Sequence, residues 1–298
     1  MLEWARPVSY VPIDPRGALL ALLISLFWGV NPVAIKLGLE AAPPFRLAAY
    51  RFIVGGLVVL AWAWLTGRLA GVRIERWEWR PLLVLGLLFT AQIASMNLAT
   101  AMTSAAHAAI LLNLYAVHTV VLAHFMIPGD RLTTRRLAGV GIAYGGIVPL
   151  LAQQGGAGAP SLGGDVLMFA SALVLAERTV YMARAVQRFD AVKLLLSQAA
   201  IGVALFLLLS LAFERAPTRW TPGLLGIVGF QGVVVAGFNF VVNLWLLKRY
   251  RPSTLATFFL SQPIFGVVAA ALLAGDPLTP ALVVASAAVA VGIGLASR

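Results

Sequence analysis

Ten apolar stretches of about twenty residues each, separated by short polar connections, run the length of the chain. That is the length an α-helix needs to cross the hydrocarbon core of a bilayer. The pattern predicts spans at 18–39, 45–66, 82–102, 104–127, 134–152, 163–187, 191–212, 222–247, 254–273 and 279–297. Breakers mark the connections, among them Pro43-Pro44, Pro128-Gly129-Asp130, Pro217, Pro252 and Gly275-Asp276-Pro277. Barrel strands would alternate over about 10 residues, and these runs do not. The fold class is therefore an all-α integral membrane protein.

Composition leaves no room for a soluble domain. Of 298 residues 61% are hydrophobic and 11% charged, where a soluble domain carries roughly 25% charged residues; mean hydropathy is +0.92. The first apolar run exceeds a signal-peptide core, and Lys36 and Glu40 stand where a small-residue cleavage box would be, so the first span is expected to be retained.

A net charge of +11 invites a nucleic-acid reading, but the position of the charge argues against it. Of the 22 Lys and Arg residues, three (Arg46, Arg215 and Arg219) fall on one side of the predicted bundle and three (Lys36, Arg51 and Arg178) inside helices, which leaves 16 on the other side. By the positive-inside rule that side, with both termini, faces the cytoplasm of a cell whose inner (plasma) membrane holds the chain. The expected partners are a small-molecule substrate and membrane lipid, with no nucleic acid, and a monomer suffices. Cysteine is absent, which excludes disulfides and thiolate metal sites. No cofactor is implied.

The chain repeats itself. Gly129-Asp130-Arg131-Leu132-Thr133 returns as Gly275-Asp276-Pro277-Leu278-Thr279, 146 residues on, and the same offset pairs Gly17 with Gly163 and Gly146 with Gly292. Each half then holds five helices, and an odd number forces the second copy to lie upside down, the inverted-repeat plan of many secondary transporters. The expected divisions are a cytoplasmic segment 1–17, a first repeat 18–152, a Gly-rich outer loop 153–162 and a second repeat 163–298. In the repeated motif Gly ends one helix and Thr133 or Thr279 caps the next, with Pro280 at its first position.

Phe27-Trp28-Gly29-Val30-Asn31-Pro32 with Lys36, Thr103-Ser104-Ala105-Ala106, the two Gly-Asp-x-Leu-Thr loops and Ser261-Gln262-Pro263-Ile264 together resemble the drug/metabolite transporter superfamily. The likeness is to its EamA-type ten-helix exporters, and most to their aromatic amino acid exporter branch, and it covers essentially the whole chain. It implies export of small metabolites. Three positions depart from the family pattern: Asp130 and Asp276 replace its usual Glu, and Tyr115 stands where its fourth helix has a proline.

Polar residues within the spans are the site candidates, since such groups turn away from lipid. His107, Tyr115 and His118 share one arc of the fourth helix at about 100° per residue. They are either a cavity wall or interhelical hydrogen-bonding groups. A metal site from them is not expected, because no His-x-x-x-His pair or carboxylate cluster accompanies them. Glu177 and Arg178 fall near mid-membrane, Tyr181 shares the Glu177 face, and Glu177 aligns with Asn31 at the 146 offset. Glu177 is either a site for a substrate ammonium or a proton, or half of a structural ion pair. Arg178 or Lys36 is the candidate for a carboxylate, with snorkelling the other reading of Lys36 and Arg51. Gln92, Asn239 and Gln262 supply amides, and Trp28 is the candidate cavity aromatic.

No Gly-x-Ser-x-Gly, His-Glu-x-x-His or phosphate-cradling loop is present, so an enzyme and a nucleotide-driven pump are not expected. The reading is alternating-access export of small metabolites, foremost aromatic or other neutral amino acids. Other metabolites, amphipathic drugs and a channel-like pore are the alternatives.

Overall fold

The structure, a computed structural model, describes residues 11–126, 132–152, 160–250 and 252–296. The Gly129-Asp130 loop and most of the Gly-rich 153–162 connection lie outside them. Ten helical units follow in order. The first half has α1 (Pro15–Leu39), α2 (Pro44–Leu65), α3 (Trp79–Met102), α4 (Ala105–Asn113 and Tyr115–Met126) and α5 (Thr134–Leu151). The second has α6 (Leu162–Ala185), α7 (Ala191–Phe213), α8 (Pro222–Arg249), α9 (Pro252–Phe259, then Gln262–Ala269 and Ala270–Ala274) and α10 (Pro280–Ala296). Segments of eight, α1 to α4 and α6 to α9, are long and apolar enough to cross a membrane. The other two are α5, whose first turn carries Arg135 and Arg136, and α10, an apolar helix of 17 residues.

The helices run up and down, so their ends form two faces. Glu78 on Lys193 and Val11 on Arg249 meet on the face where α1 starts and α10 ends, here the near face. Ser161 on Met102 and Arg219 on Ala41 meet on the far face. Large apolar side chains such as Leu57, Trp64, Leu208, Leu211 and Leu272 are exposed on the outside of the bundle. Only hydrocarbon surroundings make that surface favourable.

Packing follows the repeat. α1 packs on α8 and α9, and its counterpart α6 on α3 and α4; α2 packs on α7 and α8, and α7 on α2 and α3; α4 meets α9, and α5 meets α10. Glycines set the closest approaches: a Cβ on Gly292 would lie 2.6 Å from the Gly139 carbonyl oxygen, and one on Gly139 would lie 2.6 Å from that of Gly292. Thr133 and Thr279 cap α5 and α10 by accepting from the N–H groups of Arg136 and Leu282. Gly275 ends α9 in the left-handed region at φ +72°.

Two helices facing each other across the middle are broken at matching places. α4 is interrupted at Leu114, whose N–H bonds the Leu111 carbonyl in a tightened turn. α9 is interrupted at Leu260 and Ser261, just before Pro263, which offers no N–H and crowds the carbonyl four residues earlier. The break in α4 thus forms with Tyr115, which keeps its backbone N–H, in the position after Leu114. α8 widens to π-helical turns at Phe230–Phe238, a local unwinding often found at functional positions.

Candidate functional site

Between the halves lies a cavity of about 660 Å³. It begins at mid-membrane, at Asn31, Arg51 and Gln92, and its walls continue to Arg136, Leu247 and Ala296 at the near face. Tyr115 and Gln262, just past the breaks in α4 and α9, both line it. Half-helix ends beside a midplane site are the arrangement transporters use to present backbone polar groups to cargo. Trp28 forms an aromatic wall with Phe240 (ring centroids 6.2 Å apart) and Phe259 (5.7 Å).

The dominant charges are two arginines. Arg51 is 2% exposed and donates from Nη1 to Asn31 Oδ1 (3.3 Å) and Gln231 Oε1 (3.4 Å), while its buried Nε has no partner. Arg178 is 7% exposed and donates from Nη1 to Gln92 Oε1 (2.7 Å). Both guanidinium groups lie on one aromatic cluster: Arg51 over Phe52 at 4.4 Å, Arg178 over Phe89 at 5.0 Å and Phe240 at 5.5 Å. Phe52 itself stacks on Phe240. Cation–π contact and amide hydrogen bonds solvate these cations without neutralising them.

The repeat explains why there are two. α6, α7 and α9 begin at 162, 191 and 252, each 147 residues after the starts of α1, α2 and α4 at 15, 44 and 105. The 146-residue offset read from the loops holds at α5 and α10, which begin at 134 and 280. At 147 residues Asn31 matches Arg178, Arg51 matches Gln198, and Leu114 matches Ser261 at the helix breaks. Each half thus brings one arginine and one amide to the midplane on its first two helices.

The slip of one residue corrects the reading of Glu177. One residue turns a side chain by about 100°, and Glu177 does not line the cavity. It is exposed on the outside of α6, on a stripe with Val166, Ala170 and Leu173, while its neighbour Arg178 points inward. Several other candidates also sit elsewhere. Lys36 donates from Nζ to the carbonyls of Thr100 (3.2 Å) and Thr103 (2.6 Å), a cation at the C-terminal end of α3 rather than a site for a carboxylate. His118 packs between Tyr144 and Phe169 without lining the cavity. Tyr181 donates to the Pro81 carbonyl, and Asn239 donates to that of Ile24, away from the cavity lining. Trp28, Asn31, Gln92, Tyr115, Arg178 and Gln262 do come together in the wall. Sequence reasoning missed Gln198 and Phe240, and weighed Arg51 only as a snorkelling or ion-pairing residue. The 147-residue register would have brought Gln198 forward as the partner position of Arg51.

The far face is closed by polar contacts that join the halves. Asp165 on α6, fully buried, accepts from Thr103 Oγ1 (2.6 Å) and from His107 Nδ1 (3.0 Å) on the first half. Asp276 Oδ2 accepts from the Ala106 N–H at the start of α4 (2.8 Å). Glu214 accepts from the N–H groups of Phe45 (2.6 Å) and Arg46 (3.1 Å), at the start of α2. A midplane cavity reaching one face and sealed at the other, between two inverted five-helix halves, fits a membrane transporter of small molecules.

The comparisons with known proteins agree. The EamA-like transporter family matches residues 15–152 and again 162–298, and the chain belongs to that family. An uncharacterized transporter of Archaeoglobus fulgidus is 28% identical over 261 residues, 86% of this chain and 88% of that one. The uncharacterized inner membrane transporter YedA of Escherichia coli strain K12 is 27% identical over 271 residues, 88% and 84% of the two chains. A probable amino-acid metabolite efflux pump of Salmonella typhimurium strain LT2 is 28% identical over 278 residues, 89% of each. A solved crystal structure shares the fold with a TM-score of 0.72 at 22% identity, covering 94% of this chain and 95% of that one.

Proposed function

We propose that this protein exports small metabolites of amino-acid size across the inner membrane by alternating access, with both termini in the cytoplasm and the cavity as its substrate site. The observation that supports this best is the asymmetry of the cavity: it reaches the near face and is shut at the far face by contacts that cross between the halves. Residues 18–152 and 163–298 are the two halves that rock about it. Aromatic or other neutral amino acids, and metabolites derived from them, are the first cargo to test. The Trp28, Phe240 and Phe259 rings offer an apolar wall, Arg178 with Gln92 offers a carboxylate site, and the Salmonella relative is named for amino-acid metabolites. A channel-like pore would not need the far-face seal.

The chain has no cysteine, so a single cysteine can be placed at Ala116, in the cavity wall below the α4 break. An impermeant maleimide should reach it from the cytoplasmic side, and cargo should slow the reaction. Labelling from the opposite side alone, or no protection by any metabolite, would contradict the reading.

A further inference from the structure

Of the two readings of Glu177 in the sequence, one made it half of a structural ion pair and the other set a substrate ammonium on it, with Arg178 or Lys36 on the carboxylate. The cavity offers no such pair. Its walls carry Arg51 and Arg178 at mid-membrane and Arg136 at the near-face mouth, and no Asp or Glu is among its described lining residues. Glu177 faces outward, and Asp165 is occupied in the far-face seal by Thr103 and His107. The ring faces that could hold an ammonium by cation–π contact are in part taken: Phe52, Phe89 and Phe240 each lie under a guanidinium.

We infer that the cargo is a net-anionic organic oxyacid with an apolar or aromatic body, carrying two negative charges and no ammonium group. This rests on the cavity being the substrate site, and within the cargo proposed above it selects acids derived from amino acids over the amino acids themselves. Each guanidinium is buried and solvated only by neutral amides and ring faces, and Arg51 keeps an unused buried Nε–H donor. Buried cations in that state are costly until an anion arrives. A zwitterion brings its own positive charge into the field of two guanidinium groups and leaves them uncompensated. A dianion neutralises both, and planar guanidinium forks suit carboxylate or phosphate oxygens alike. Export of such an anion moves negative charge outward, so an inside-negative potential drives it without a coupling ion and without an intramembrane carboxylate.

The test uses one phenyl body with graded charge: phenylalanine, phenylpyruvate, phenylsuccinate and phenyl phosphate. Binding to the purified full-length protein in detergent is read from ligand-dependent melting, and transport from proteoliposome exchange. Affinity should rise roughly tenfold or more with each added negative charge, phenylsuccinate exceeding phenylpyruvate and phenylpyruvate exceeding phenylalanine. Phenyl phosphate tells a phosphate cargo from a dicarboxylate, according to which dianion binds tighter. Arg51→Gln and Arg178→Gln should each reduce the preference for the dianion over phenylalanine about tenfold, with the melting temperature of the ligand-free protein held or raised. Phenylalanine binding as tightly as the dianions would overturn the inference and leave the transporter reading in place, as would unchanged charge preference in both variants. Failure of every dianion to bind would also overturn it. Failure of exchange across a broad amino-acid and metabolite panel would defeat the transporter reading itself.

Discussion

Replacing Asp165 with alanine should unlock the far face. The carboxylate is fully buried and accepts two hydrogen bonds from the opposite half, at 2.6 Å from Thr103 and 3.0 Å from His107. Hydrogen bonds to a charged group contribute about 1.5–3 kcal/mol each, so the closed far face would lose about 3–6 kcal/mol if both bonds are absent from the far-open state. At about 1.4 kcal/mol per factor of ten, the ratio of far-closed to far-open molecules falls roughly 10²–10⁴-fold. Asp165→Asn keeps an oxygen that can accept from Thr103 and should give a smaller shift. The assay is a single cysteine at Met96, at the far-face end of the cavity wall, challenged with an impermeant maleimide from the far side. It should be unreactive in the parent and reactive with Asp165→Ala. Equal protection in both, with folding intact by melting, would refute the view that this contact holds the far face shut.

Other expectations follow from the same geometry. Glu177→Gln should leave exchange rate and melting temperature unchanged, because the side chain is outside the cavity and on the exposed stripe of α6; loss of exchange would return Glu177 to the mechanism. Burial would raise the Glu78 carboxyl, but the Glu75 N–H and the Lys193 ammonium hold it below the ordinary carboxylate range. A carboxyl lowered in this way contributes stability above its unfolded value and loses it as pH falls through the folded one, so melting in detergent should drop on acidification, and less steeply in Glu78→Gln. Gly292→Ala should lower the melting temperature, since its Cβ would sit 2.6 Å from the Gly139 oxygen and 2.7 Å from Ala143 Cβ, and overpacking costs about 1–3 kcal/mol. Gly145→Ala, with nothing within 4 Å of the added carbon, should not.

The helices were legible because span length and breakers are local properties. The predicted start at 134 and the Thr133 and Thr279 caps match the structure to the residue. The duplication was legible from the Gly-Asp loops, but their offset was one residue short for α1, α2 and α4. In a helix that error is a rotation of about 100°, which is why Glu177 was set against Asn31 where Arg178 belongs. Lys36, read as a carboxylate site or a snorkelling cation, and His107, read as cavity wall or an interhelical hydrogen-bonding group, could not be given their partners, because the α3 carbonyls and Asp165 lie about 60 residues away along the chain. Arg51 looked like a snorkelling residue because the amides around it come from α1 and α8.

The central claim is that two halves take turns exposing one cavity, and counterflow tests it most directly. Proteoliposomes preloaded with unlabelled cargo are diluted into a trace of the labelled compound, and uptake is followed over time. A carrier exchanges outgoing for incoming molecules at a saturable site, so label should rise in a transient overshoot above its equilibrium level and then decay. Monotonic entry to equilibrium, unaffected by preloading and without saturation, would contradict alternating access and mark the protein as a pore.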